Sequence, residues 1–264
     1  MRRSKSVAVL IAIAAAALPV TPASATPTLH DAVLHYLQGR SGAEAVAVHD
    51  YRANRDYLVY KDRTVWTASI VKLEILQALL HKRNGQLSSY EKSEAKTMIE
   101  NSDNDAAEEL WERIGYGPGL DKFSKLAGLT DTKSDPRGRW GRTTTSARDQ
   151  IKLIQLLELP NKLLSDSSRS YVRGLMHNVE SDQRWGSCAH APSGAWTMNK
   201  NGWSPIADDN GYWAVNSDCY VWSKTKRYAL VVLDRHLGSE EYGIATIEGV
   251  AAIVVKYMKS QPAT

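Results

Sequence analysis

Metal-ligating residues are sparse in this chain of 264 residues: it has two cysteines and seven scattered histidines. No His-Glu-x-x-His and no paired Cys/His spacing occurs, so nothing in the sequence supplies a zinc site. Gly-x-Ser-x-Gly is also missing, which excludes the strained serine elbow of one large hydrolase architecture. The glycine-rich stretch at 115–119 lacks phosphate-binding spacing and reads as a turn between two helices. No internal repeat is present. The Trp-Gly pairs at 140–141 and 185–186 have unlike flanks and read as two separate turns.

Long apolar runs are lacking as well. The stretch 7–20 is too short to span a bilayer and is broken by Pro19. It follows Arg2, Arg3 and Lys5 and precedes Ala23-Ser24-Ala25, which together predict an export signal over 1–25, cleaved after Ala25. The twin arginines lack the rest of a Tat-like context, and no cysteine lies near the cleavage point to carry a lipid. Cleavage removes three of the 33 basic residues and leaves 30 against 29 acidic ones. A balance so even gives no footprint for nucleic acid. Lys224 to Arg227 reads as a solvated turn.

What is present is one domain's worth of alternating patterns over 26–264. A helix is predicted over 29–39, with Leu29, Val33 and Leu37 on one face, then strands over 45–50 and 57–61 around a turn at 52–56. Helical spacing follows from Ser69 to a stop at Asn84-Gly85, then over 91–100, 105–114 and 120–127. Thr145 or Ser146 would cap a helix to about 157, and Ser165 another to about 178. Strands are predicted over 195–201, 211–222 and 227–234, and a closing helix over 242–258. Strands from both ends of the chain around a helical block imply an α+β fold, an antiparallel sheet with helices packed on it. Export makes a disulfide between Cys188 and Cys219 plausible, but spacing alone does not bring their Cα atoms together.

One stretch carries chemistry. In 66–76 a serine, Ser69, precedes a lysine, Lys72, by three residues at the mouth of a helix whose Ile70, Leu73, Leu76, Leu79 and Leu80 share a face. A hydroxyl beside an amine is a nucleophile beside its base, and the unpaired amides of a first turn could receive an oxyanion. Ser-x-x-Lys recurs at Ser89/Lys92, Ser93/Lys96 and Ser223/Lys226, as two common residues will. Ser69 differs by its company. Ser102-Asp103-Asn104 follows once, and Lys200-Asn201-Gly202 lies in an expected strand. Alone, the first could be a helix N-cap and the second a hairpin turn.

Ser-x-x-Lys, Ser-Asp-Asn and Lys-x-Gly in this order resemble the class A β-lactamases and penicillin-binding serine hydrolases. The resemblance covers roughly 29–259 and implies a five-stranded antiparallel sheet with N- and C-terminal helices and a helical lobe. The sheet lobe would come from 28–68 and 188–264, and the helical lobe from 69–187. It implies Ser69 as the acylated nucleophile, Lys72 as base or relay, Ser102 as proton donor to the leaving nitrogen, and Lys200 as a carboxylate anchor supporting Ser102. Asn104, Asn201, Gly202 and Trp203 would bind substrate, with the amides of Ser69 and Trp203 as oxyanion donors. No cofactor or metal is implied. The expected partner is a small-molecule or peptide substrate, a β-lactam or cell-wall peptide, met by a secreted monomer without a lasting membrane anchor.

Three departures from the family pattern stand out. Asn201 replaces a threonine or serine hydroxyl. Ser102 follows Ser69 by only 33 positions, which implies a trimmed helical lobe. The loop at 126–146 holds no glutamate to activate the water that frees an acyl-enzyme, and its only acids are Asp131 and Asp135. An aspartate is one methylene short for that task. The sequence therefore predicts a serine hydrolase or acyltransferase with poor β-lactam turnover, or alternatively a non-catalytic protein that binds or senses the same ligands in the same cleft.

Overall fold

A computed structural model describes residues 28–261; the expected export signal lies outside them. The chain opens with helix α1 (Leu29–Gln38), then strands β1 (Ala45–Asp50), β2 (Arg55–Val59) and β3 (Thr64–Trp66). A 3-10 turn, Ala68–Ile70, leads into α2 (Val71–Lys82), followed by α3 (Ser89–Glu100), α4 (Asn104–Ile114) and α5 (Tyr116–Ala127). After a long loop come β4 (Thr144–Ser146), α6 (Ala147–Glu158) and α7 (Asp166–His177). Strands β5 (Trp196–Pro205), β6 (Trp213–Trp222) and β7 (Arg227–Leu237) and helix α8 (Glu240–Ser260) complete it.

The five long strands form one sheet in the order β2-β1-β7-β6-β5, antiparallel throughout, as the resemblance implied. Helices cover both faces, so the central strands are apolar on both sides. Val46 and Val48 of β1, with Leu230 and Val232 of β7, pack against α1 and α8. The alternate residues Ala45, Ala47, Ala229, Val231 and Leu233 face the helical block α2 to α7. β5 is an edge strand, the only kind that can accept a ligand alongside it.

Helix α2 runs through the middle of the block. Every residue from Val71 to Leu80 is buried, including Lys72, Glu74 and Gln77. Polar groups in such a place must find partners. Ser124 Oγ donates to Glu74 Oε1 at 2.5 Å, and Gln77 Nε2 donates to the Leu153 carbonyl at 3.2 Å.

Local departures from the sequence expectations have local causes. The second strand begins at Arg55 rather than 57, because Asn54 takes a left-handed turn (φ 47°) and Asp50 pairs with Arg55. The glycine-rich stretch is mostly helix: Gly115 alone breaks it (φ 99°), and Pro118 is tolerated in the first turn of α5. β3 and β4 pair with one another outside the main sheet and are too short to show a period. Cys188 and Cys219 form a disulfide, tying the segment before β5 to β6.

Candidate active site

Ser69 does not begin the α-helix. It sits in the 3-10 turn ahead of α2, half-buried, after Ala68 in a left-handed conformation (φ 45°). Ser102 has the same handedness (φ 58°), between α3 and α4. Non-glycine residues take this conformation at a cost, and such strain gathers where a side chain must be aimed. Asp103 caps α4 through its side chain to the Ala106 amide, so Ser-Asp-Asn is an N-terminal cap and also a wall of the site. Lys200-Asn201-Gly202 lies inside β5 rather than in a hairpin turn.

These segments converge. Lys72 Nζ donates to the Ser102 carbonyl at 2.5 Å, to Asn104 Oδ1 at 2.8 Å and, more weakly, to Ser102 Oγ at 3.4 Å. From the other side Lys200 Nζ donates to Ser102 Oγ at 2.8 Å and to the Asn201 carbonyl at 2.8 Å. Ser102 thus stands between two lysines. Both are buried, with relative exposures of 0% and 1%. Burial drives the Lys72 amine down to about 7, with the Asp103 carboxylate opposing it. Lys200 lies well below its ordinary value, first from burial and then from the Lys72 charge.

Gly202 explains how β5 reaches Ser69. A Cβ there would lie 2.6 Å from the amide nitrogens of both Ser69 and Ile70, and 2.8 Å from the Thr67 carbonyl. Only glycine lets strand and turn come so close. Asn216 on β6 ties the same turn down by donating to the Trp66 and Thr67 carbonyls at 2.9 and 3.1 Å.

Asn201 is oriented differently from the expectation that its amide meets substrate. It is buried and its Nδ2 donates to the Gln183 and Trp185 carbonyls at 2.9 and 3.0 Å. Asn199, two residues back and therefore on the same face, donates to Gln183 at 2.6 Å. The alternation turns Lys200 toward Ser102 and both asparagines toward the 183–185 loop. Trp203 follows them, half-buried, and packs edge to face on Trp185 at 5.5 Å. Asn104 is exposed at the cleft and touches Lys72.

The long loop brings neither of its aspartates to this cluster. Asp131 accepts from Ser146 Oγ at 2.8 Å. Asp135 is buried, which raises its carboxyl, but the hydrogen bond from Arg139 at 2.6 Å and the charge of Arg137 leave it below the usual range. Trp140 is the loop residue that does arrive. Its ring lies 4.9 Å from Lys72 Nζ, and its Nε1 donates to Glu108 Oε2 at 3.1 Å. In the sequence Trp140 reads only as part of a turn. The one available signal was Glu108, four residues after Asn104 and hence on the same face of α4.

Comparison with known proteins supports this architecture. Solved beta-lactamases superpose closely at low identity. They include an enzyme from Bacteroides cellulosilyticus (TM-score 0.76, 14% identity, 88% of this chain and 98% of that one). Another is from Xanthomonas campestris pv. campestris (TM-score 0.72, 18% identity, 86% and 97%). The TLA-1 extended-spectrum beta-lactamase gives a TM-score of 0.76 at 17% identity over 87% and 98%. A putative lipoprotein, LppW, of Mycobacterium tuberculosis is 33% identical over 94 residues, 34% of this chain and 30% of the relative's length. A family model described as the beta-lactamase enzyme family matches residues 92–258. Since that span takes in Ser102, Lys200 and three of the main sheet's five strands, and covers more than half of the sequence, the chain belongs to the beta-lactamase enzyme family.

Proposed function

We propose that this chain is an exported serine acyl-transfer enzyme that forms an ester on Ser69 with β-lactams or D-alanyl-type peptide amides. The observation that carries the proposal is Ser102 Oγ held between Lys72 Nζ and Lys200 Nζ, beside the Ser69 turn. Lys72, near 7, is neutral often enough at physiological pH to accept a proton. In the acylation step Ser69 Oγ bonds to the substrate carbonyl carbon as its proton passes to Lys72 Nζ. The C–N bond then breaks, and the leaving nitrogen takes a proton from Ser102 Oγ, which Lys72 replaces.

The amides of Ser69 and Trp203 would receive the oxyanion. Lys200 would hold the substrate carboxylate, and Asn104 the substrate amide. Release is the weak step in this reading. The loop offers no glutamate, its aspartates are bound elsewhere, and Trp140 covers Lys72. The ester on Ser69 therefore persists, and turnover of β-lactams is slow. The test is intact-protein mass spectrometry after incubation with a penicillin and with a D-Ala-D-Ala peptide. An adduct on the wild-type chain that disappears in Ser69→Ala supports the proposal. An adduct retained in Ser69→Ala, or none with any reagent, overturns it.

A further inference from the structure

Directly behind the lysine anchor is a carboxyl group that the acylation chemistry does not use. The β5–β6 register sets Asp218 opposite Lys200, and opposed residues of antiparallel strands point to the same face. Both side chains are sealed in: Asp218 is 0% exposed and Lys200 1%. Neither oxygen of Asp218 accepts a hydrogen bond. A buried carboxyl with both oxygens unsatisfied destabilises a fold unless a charge nearby compensates it. Among the described residues, Lys200 is the charged group that acts on Asp218, and Lys72 and Asp218 are the charged groups that act on Lys200.

We propose that Asp218 is a positioning residue acting through Lys200: buried opposite it in the β5–β6 register, its carboxylate favours the protonated form of the Lys200 amine, the anchor for an anionic substrate group. The inference rests on the reading of Lys200 as that anchor. Its physical basis is opposition of charges. Burial and Lys72 both push the Lys200 proton off, and Asp218 alone pulls the other way. Burial raises Asp218 to about 8, so its negative charge develops as the pH climbs through that value, in the range where Lys200 most needs it. Below that range Asp218 is neutral and an asparagine is its isostere.

The test compares wild type with Asp218→Asn by NMR titration of the Lys200 side-chain carbon next to the amine. The expected result is a Lys200 midpoint lower by about one unit in the variant. Acylation of Ser69 by a carboxylate-bearing penicillin should then be about tenfold slower in the variant on the alkaline side and equal on the acid side. The melting temperature at neutral pH should not fall, whereas a purely structural role would lower it and slow acylation equally at every pH. An unchanged Lys200 midpoint overturns the inference. Should Asp218→Asn fail to fold, Asp218→Ser makes the same comparison. The NMR midpoint is read without any acylation, so failure of the Ser69 ester leaves this result independent.

Discussion

Acylation of Ser69 should follow the neutral fraction of Lys72, and the structure sets the scale of that dependence. Lys72 has no exposed surface and donates to the Ser102 carbonyl, Asn104 Oδ1 and Ser102 Oγ, and burial brings its amine to about 7. A base with that value is about half neutral at pH 7 and loses about tenfold of its neutral form with each further unit of acid. At about pH 5 the acylation rate should be about 100-fold below its plateau. Lys72→Arg carries a group that stays charged at every pH, so it should lose the acid limb together with about 10²–10⁴-fold of the rate. The assay is rapid quench with intact-mass detection of the ester, read across about pH 5 to 9. A wild-type rate that stays flat across this range, or Lys72→Arg retaining a full rate, would refute Lys72 as the proton acceptor.

The same depressed amine bears on folding. Its folded pKa lies below the unfolded value, so the unfolded chain binds the extra proton between the two, and this group's contribution to stability rises with pH from about 7 to about 10. Chemical denaturation of wild type and Lys72→Met along that range should show the variant losing this part of the slope. Gly202→Ala places a methyl 2.6 Å from the Ser69 amide; it should cost about 1–3 kcal/mol in the same unfolding assay and abolish the Ser69 ester. Asn201→Ala removes the donor to the Gln183 and Trp185 carbonyls, and its expected cost is about 1–3 kcal/mol of stability, with acylation chemistry intact once folded. Replacing Cys188 and Cys219 by serine opens a bridge across 31 positions and should cost about 3 kcal/mol; two reactive thiols in the unreduced wild type would contradict the bridge.

Much of this architecture was legible because its causes are local. α1 shows its apolar face at Leu29, Val33 and Leu37, and β1 and β7 show the continuous apolar runs of strands covered on both sides. The caps at Ser146 and Ser165 also announce their helices. β3 and β4 were not legible, since three residues are too few for a period to show. In the site, the residue types of Ser69, Lys72, Ser102 and Lys200 were visible, and the meeting of the two lysines at Ser102 was a matter of tertiary packing. The direction of the Asn201 side chain was not legible, because it depends on strand alternation and on a loop that carries no pattern of its own. Trp140 escaped notice because a half-buried loop tryptophan looks the same in sequence whether it packs on the core or over an active amine. Asp218 gains its interest only from the register that opposes it to Lys200.

The central claim is that the chain acylates readily and releases slowly, and burst kinetics test it most directly. Purified wild type mixed with excess chromogenic cephalosporin should open about one equivalent of substrate per Ser69 in a fast phase, followed by a slow steady state limited by ester release. Trp140→Ala, which uncovers Lys72, should leave the burst amplitude alone and speed the second phase. Rapid multiple turnover without a burst, or no burst with any cephalosporin or penicillin, would contradict the account.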